Sequence, residues 1–192
     1  MKNTIFASIL FLLVGVASTQ ASGKVSTMKV DVKSSKIDWL GKKVTGKHNG
    51  TVKLKSGEVV LDGDKIKSGN IVVDMTTIKV LDLQGEWAQK LVGHLNSGDF
   101  FKVGEFKTAS FSITKANKTG KNTYKVEGNL KIKDISKKQT VTLKRKGNSF
   151  SGDLVFDRTD YNVKYGSGKF FTDLGDKMIH DKVSLGLDIN LK

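Results

Sequence analysis

The sequence has no cysteine and no proline, and of its 33 basic residues only Arg145 and Arg158 are arginine. The lack of cysteine removes disulfides, zinc fingers, iron–sulfur clusters and thiol nucleophiles together. It also excludes an acylated lipoprotein, which needs a cysteine to carry its lipid. The scarcity of arginine argues against nucleic acid as a partner, because base and phosphate forks favour guanidinium over ammonium. That matters here, since a formal net charge of +14 would otherwise suggest nucleic acid. No apolar run reaches the ~20 residues of a comfortable membrane span. The longest, Ile5 to Val16, follows Lys2 and precedes Ala17, Ser18, Thr19, Gln20 and Ala21. This is the order of a secretory signal peptide. We expect residues 1–21 to be removed after Ala21, leaving residues 22–192 as a single periplasmic or secreted domain.

Alternation dominates what remains. Tyr124, Val126, Gly128, Leu130 and Ile132 are separated by Lys125, Glu127, Asn129 and Lys131, which reads as a strand with one wet face. The same pattern runs through Phe150 to Phe156 and Val183 to Leu191. Less regular strand candidates are Met28–Val32, Ile37–Lys42, His48–Lys55, Glu58–Leu61, Asn70–Met75, Thr108–Thr114 and Thr140–Lys146. Lys55-Ser56-Gly57, Lys67-Ser68-Gly69-Asn70, Asn117 to Gly120 and Gly147-Asn148 read as the turns between them. The lysines are spread through these runs, so they read as a solvated strand face with a secondary attraction to anionic membrane. Short strands in meander order imply an all-β, up-and-down antiparallel barrel, which leaves no open edge.

One stretch departs from the period of two. Trp87, Leu91 and Leu95 recur every fourth residue before Asn96-Ser97-Gly98, predicting a short amphipathic helix near residues 84–95 that plugs one barrel end, with Asp82 as a candidate N-cap. The pairs Phe100-Phe101 and Phe170-Phe171 fall in loop-like sequence and are expected to turn inward, since exposed rings cost solubility.

Catalytic patterns are missing. Gly166-Ser167-Gly168 lacks the form of a nucleophile elbow and reads as a flexible turn, and Gly63-Asp64-Lys65 lacks the spacing of a P-loop. His48, His94 and His180 have no zinc-motif spacing, so neither a metal nor an enzymatic activity is expected. His48 reads as a structural hydrogen-bonding residue and His94 as a helix-end residue. Arg158, flanked by Asp157 and Asp160, reads as part of a salt bridge at a strand end.

The series Trp39-Leu40-Gly41-Lys42, His48-Asn49-Gly50, Ile71 to Met75, Leu91 to Phe101, Gly128 to Lys133 and Asp157 to Tyr161 resembles the YceI-like proteins, in order, from about Val30 to Leu191. The family commonly shows Leu-Thr-Ile-Lys-Gly with a following Thr, where this chain has Lys131, Asp134 and Ser136. The resemblance implies a lipocalin-like barrel whose elongated apolar cavity holds a polyisoprenoid, an isoprenoid quinone or a fatty-chain lipid, with no other cofactor. For Leu54, Phe111, Ile113, Leu130, Ile132 and Phe156 the alternation alone leaves core packing and ligand lining equally open, and the resemblance favours lining. Trp39, Val73, Leu91, Leu95, Phe100, Phe101, Tyr165 and Phe171 join them as ligand-contact candidates. His48, His94 and Arg158 are candidates for a polar mouth that meets the head group. The expected function is to bind and carry such a lipid. The alternative is a lysine-rich envelope protein that binds acidic polymers or membrane surfaces. Monomer and dimer both remain open.

Overall fold

The computed structural model describes residues 24–192. The expected signal peptide and its cleavage site lie outside the described residues. Nine strands and one helix follow in the order β1 (Val25–Lys29), β2 (Lys36–Lys43), β3 (Gly46–Asp62), β4 (Lys65–Val80), α1 (Gly85–Asn96), β5 (Thr108–Lys118), β6 (Thr123–Ile132), β7 (Ile135–Lys146), β8 (Ser149–Asp157) and β9 (Lys182–Asn190).

From β2 to β9 each strand pairs antiparallel with the next, and β2 closes the ring on β9 with Ile37 opposite Leu187. β1 and β2 share one place in that ring. β2 pairs with the first half of β3 and β1 with the second, Val25 lying opposite Asp62. The break between them is a turn in which the Asp31 carboxylate accepts from Lys33 N and Ser34 Oγ. Lys29 and Lys192 exchange backbone bonds of 3.0 and 2.8 Å, so β1 also closes on the chain's end. The result is a closed, eight-position up-and-down antiparallel barrel with one α-helix, as the alternation predicts.

Two expected turns are strand interior. Lys55-Ser56-Gly57 lies within β3 and Lys67 to Asn70 within β4. The glycines there serve close approach between neighbouring strands. A Cβ on Gly57 would stand 2.7 Å from Val30 Cγ2, and one on Gly69 would stand 3.0 Å from the Glu58 carbonyl oxygen. The register also slips between Leu54 and Ser56, so the long strand bends without reversing. The reversal comes at Gly63, whose φ of 60° suits glycine.

Tyr124 fills the end of the barrel remote from α1. It is buried, its ring meets Phe150 edge-on, and its hydroxyl donates to the Asp64 carbonyl at 2.8 Å. The other end is crossed by α1 and by the irregular segment 158–181 between β8 and β9. α1 begins after Gln84, and Asp82 does not cap it. Asp82 instead accepts from Asn49 N at 2.8 Å and pairs with His48 Nδ1 at 2.7 Å. No α1 residue is fully buried, and Trp87 is 70% exposed, so the expected Trp87–Leu91–Leu95 stripe does not enter the barrel as a unit.

Candidate functional site

Inward-facing side chains of the closed sheet do not meet at the centre. They surround a cavity of about 230 Å³ that runs from Phe150, Val126 and Ile66 at the closed end to Trp39, Leu95, Phe100 and Phe101 under α1. β9 contributes Val183, Leu185 and Leu187, and β5 contributes Phe111 and Ile113. These five residues are only half-buried although they point inward, because part of each surface faces the void.

Ser110, Arg158 and His180 also border the cavity, Ser110 only through its backbone, since its side chain lies on the outer face with those of its partners Val72 and Lys131. All three belong to the half nearer α1, at the start of β5, just after β8 and just before β9. The wall is hydrocarbon almost throughout, with Arg158 and His180 at the end nearer α1. The Trp39 indole keeps its face on the cavity while its Nε1 donates to the Lys79 carbonyl at 3.2 Å. Gly50, opposite Trp39 in β3, makes this possible. A Cβ there would fall 1.7 Å from the Lys79 oxygen and 2.6 Å from the indole ring.

Arg158 is 2% exposed. Its guanidinium donates to the carbonyls of Val163 (2.8 Å), Ile179 (3.0 Å) and His180 (3.2 Å), and to Asp181 Oδ1 at 3.4 Å. Burial lowers its pKa and the Asp181 and Asp157 carboxylates oppose that fall. Arg158 thus ties segment 163–181 across the cavity's end. Its ion partner is Asp181, with Asp160 taking no part. Beside it, the buried Asp157 accepts from Lys169 Nζ at 2.7 Å and from Thr159 N and Oγ1. Burial pushes the Asp157 carboxyl up, but the bonds from Lys169 and Thr159 outweigh it and hold the pKa well below the usual range.

Of the ligand-contact candidates, Trp39, Val73, Leu95, Phe100, Phe101, Phe111, Ile113, Leu130, Ile132 and Phe156 line the cavity. Leu54 is buried but stands off the wall, in the packed core beside the β3 bend. Leu91 is half-buried on α1 and does not reach the cavity. Tyr165 and Phe171 are 45% and 49% exposed and lie outside it. Phe170 is exposed likewise, which corrects the expectation that this pair turns inward. The cause is local. The backbone nitrogens of Phe170 and Phe171 both donate to the carbonyl of the buried Ser167, so the turn is held from within and its rings project outward. Gly166-Ser167-Gly168 is therefore an anchored turn, where flexibility was expected.

Among the polar candidates, Arg158 alone lines the cavity. His48 is committed to Asp82 on the outer rim, and His94 pairs with Asp99 at 3.2 Å while its ring meets Phe100 and Tyr165 edge-on. Burial pushes the Asp82 carboxyl up, and the Asn49 N–H and His48 outweigh it, leaving the carboxyl below its ordinary pKa. His180, which sequence reasoning did not place at the mouth, is both exposed and on the wall. Ile179 and His180 lie in irregular chain and carry no periodic signal. Val183, Leu185 and Leu187 do alternate cleanly, and that alternation was the available sign. Among the described residues no three His, Asp or Glu side chains stand close enough to hold a metal ion.

A model of the YceI-like domain matches residues 28–191. The fold is similar to that of Burkholderia cenocepacia BcnA, at 23% identity and a TM-score of 0.67, covering 83% of this chain and 98% of that one. A polyisoprenoid binding domain from Saccharophagus degradans, implicated in plant cell wall breakdown, matches at 12% identity and a TM-score of 0.61, covering 88% and 99%. The Campylobacter jejuni YCEI protein matches at 18% and 0.54, covering 72% and 82%. Compared with curated protein sequences, the chain has no significant match.

Proposed function

Because the chain belongs to the YceI-like domain family, we propose that it binds a long-chain isoprenoid or similar amphipathic lipid in its barrel and carries it through the aqueous space of the cell envelope. One observation carries this reading: the closed barrel encloses a cavity whose wall is hydrocarbon almost throughout, with Arg158 and His180 at the end nearer α1. A long apolar tail matches that wall, and a polar head would lie at the end nearer α1. Tail burial gains about 25 cal/mol per Å² of apolar surface, so tight binding needs few polar contacts. The Saccharophagus degradans neighbour, described as a polyisoprenoid binding domain, supports the isoprenoid class. The signal-peptide pattern at residues 1–21 supports export, with the mature chain beginning at or near Ser22.

The test is mass spectrometry of the organic extract from protein purified from its native host without detergent. A polyprenyl species present in near-stoichiometric amount is expected. Protein that carries no lipid, and takes up none when offered a polyprenyl alcohol, would sink the reading.

A second reading has one observation of its own. Lys115, Lys125, Lys131, Lys138, Lys144 and Lys146 are exposed on β5, β6 and β7 and have no acidic partner within ion-pair distance. Such a face would hold an acidic polymer. Salt separates the two: polymer binding collapses at high ionic strength, whereas a buried tail stays.

A further inference from the structure

Large apolar side chains exposed among the described residues gather at one end of the barrel. Val44, Leu81, Trp87, Tyr165, Phe170 and Phe171 all stand where the cavity reaches α1 and segment 158–181, while the other two, Val25 and Val155, lie in β1 and β8. Three backbone bonds and one ring contact join the elements that carry these six rim residues. Val44 N donates to Met178 O (3.1 Å), Ile179 N to Gly166 O (2.8 Å) and Leu81 N to Asn49 O (2.9 Å), and His94 of α1 lies against the Tyr165 ring at 4.5 Å.

Lysines interleave with these rings. Lys90 Nζ stands 5.0 Å from the Trp87 ring centre and Lys164 Nζ 4.7 Å from that of Phe170. The β2–β3 hairpin adds Lys42, Lys43 and Lys47, and the end of β4 adds Lys79, all exposed and without an acidic partner within 4 Å. Asp173 and Asp176 follow Phe171 in the same segment, so the positive excess sits on the hairpin side. Half-exposed aromatic rings flanked by lysines are the composition of an interfacial membrane anchor. Among the described residues nothing covers the rings, and their exposure has no packing return.

We propose that this rim docks on an anionic lipid bilayer, with Trp87, Phe170 and Phe171 at head-group depth and Lys42, Lys43, Lys47 and Lys79 on the lipid phosphates. The cavity's α1 end then faces the bilayer, and a tail enters the barrel without crossing water. The purpose of docking rests on the lipid-carrier reading, while docking itself is measured separately.

The experiment uses mature protein and vesicles of phosphatidylcholine with phosphatidylglycerol at low salt, read by co-sedimentation. Co-purified lipid is quantified for every variant, and solution mass is measured by analytical ultracentrifugation. The Phe170→Ser/Phe171→Ser pair is expected to weaken vesicle binding by roughly tenfold or more, from the lost apolar burial. Lys42→Gln/Lys43→Gln should weaken it by roughly fivefold per lysine. Lys125→Gln/Lys144→Gln, on the outer sheet face, should leave it unchanged. In a Trp39→Phe background, which removes the cavity tryptophan, bromine-labelled acyl chains should quench Trp87. Vesicle binding that survives the rim changes but is lost with Lys125 and Lys144 would overturn the proposal in favour of the sheet face. A dimer that the Phe170/Phe171 change dissolves, with no vesicle binding, would make the rim a self-association surface. Normal docking by a protein that never contains lipid would remove the carrier reading and leave the docking surface standing.

Discussion

Leu54 of β3 and Leu130 of β6 both face inward and are nearly equally buried, at 5% and 7% exposure. Only Leu130 borders the cavity. Enlarging each to tryptophan therefore separates wall from core. Leu54→Trp forces the ring into packed neighbours beside the β3 bend, and overpacking of this kind costs about 1–3 kcal/mol. For a domain of this size that lowers Tm by roughly 2–12 °C, at about 2–4 °C per kcal/mol. Leu130→Trp has the cavity of about 230 Å³ to turn into, so delipidated protein should melt within about 2 °C of wild type. The functional readout inverts the order. Leu130→Trp should reduce co-purified lipid sharply, because the ring occupies the tail's volume, whereas the folded fraction of Leu54→Trp should load normally. Calorimetry of extracted protein and mass spectrometry of the extract give the two quantities. Equal destabilisation by both changes, with lipid loading intact in Leu130→Trp, would refute the cavity as a ligand site.

Gly50→Ala places a Cβ 1.7 Å from the Lys79 carbonyl oxygen and 2.6 Å from the Trp39 ring. Trp39 must leave the wall, and its emission should shift, with a stability loss of about 1–3 kcal/mol by urea titration. Arg158→Met removes the donor shared by three backbone carbonyls and leaves Asp181 without its guanidinium partner. A loss of about 3–5 kcal/mol is expected, with amide exchange rising first in segment 163–181. Asp157 has a folded-state pKa below its unfolded value, so its contribution is full above about pH 3.9 and is lost as pH falls through the folded-state range. Asp157→Asn should cost about 2 kcal/mol at neutral pH. Urea titrations of wild type and variant should converge in acid, and a gap that persists at low pH would place the interaction elsewhere.

Much of the architecture was legible in single strands. Tyr124 to Ile132 alternates so strictly that β6 could face only one way, and Val183 to Leu191 repeats the pattern on β9. A period of two is a local property of the backbone, and one wet face on every strand is what a sheet closed on itself requires. The YceI-like likeness, carried by segments such as Leu91 to Phe101, added the family and with it the expectation of a cavity.

What opposes an inward residue is not local. Leu54 and Leu130 read alike in sequence, and the curvature of the long strands decides which one meets a neighbour and which one meets a void. Asp99-Phe100-Phe101 and Lys169-Phe170-Phe171 are nearly the same motif with opposite fates. The first pair packs under the end of α1, against His94 and the cavity, while the second is turned outward by its hydrogen bonds to Ser167. Gly57 and Gly69 looked like turns because glycine marks both a reversal and a close approach, and only the neighbouring strands distinguish them. Sequence therefore settled which face of each strand is apolar. The tertiary structure settled where those faces fail to touch, because a cavity is a property of surfaces brought together from many strands and of no strand alone.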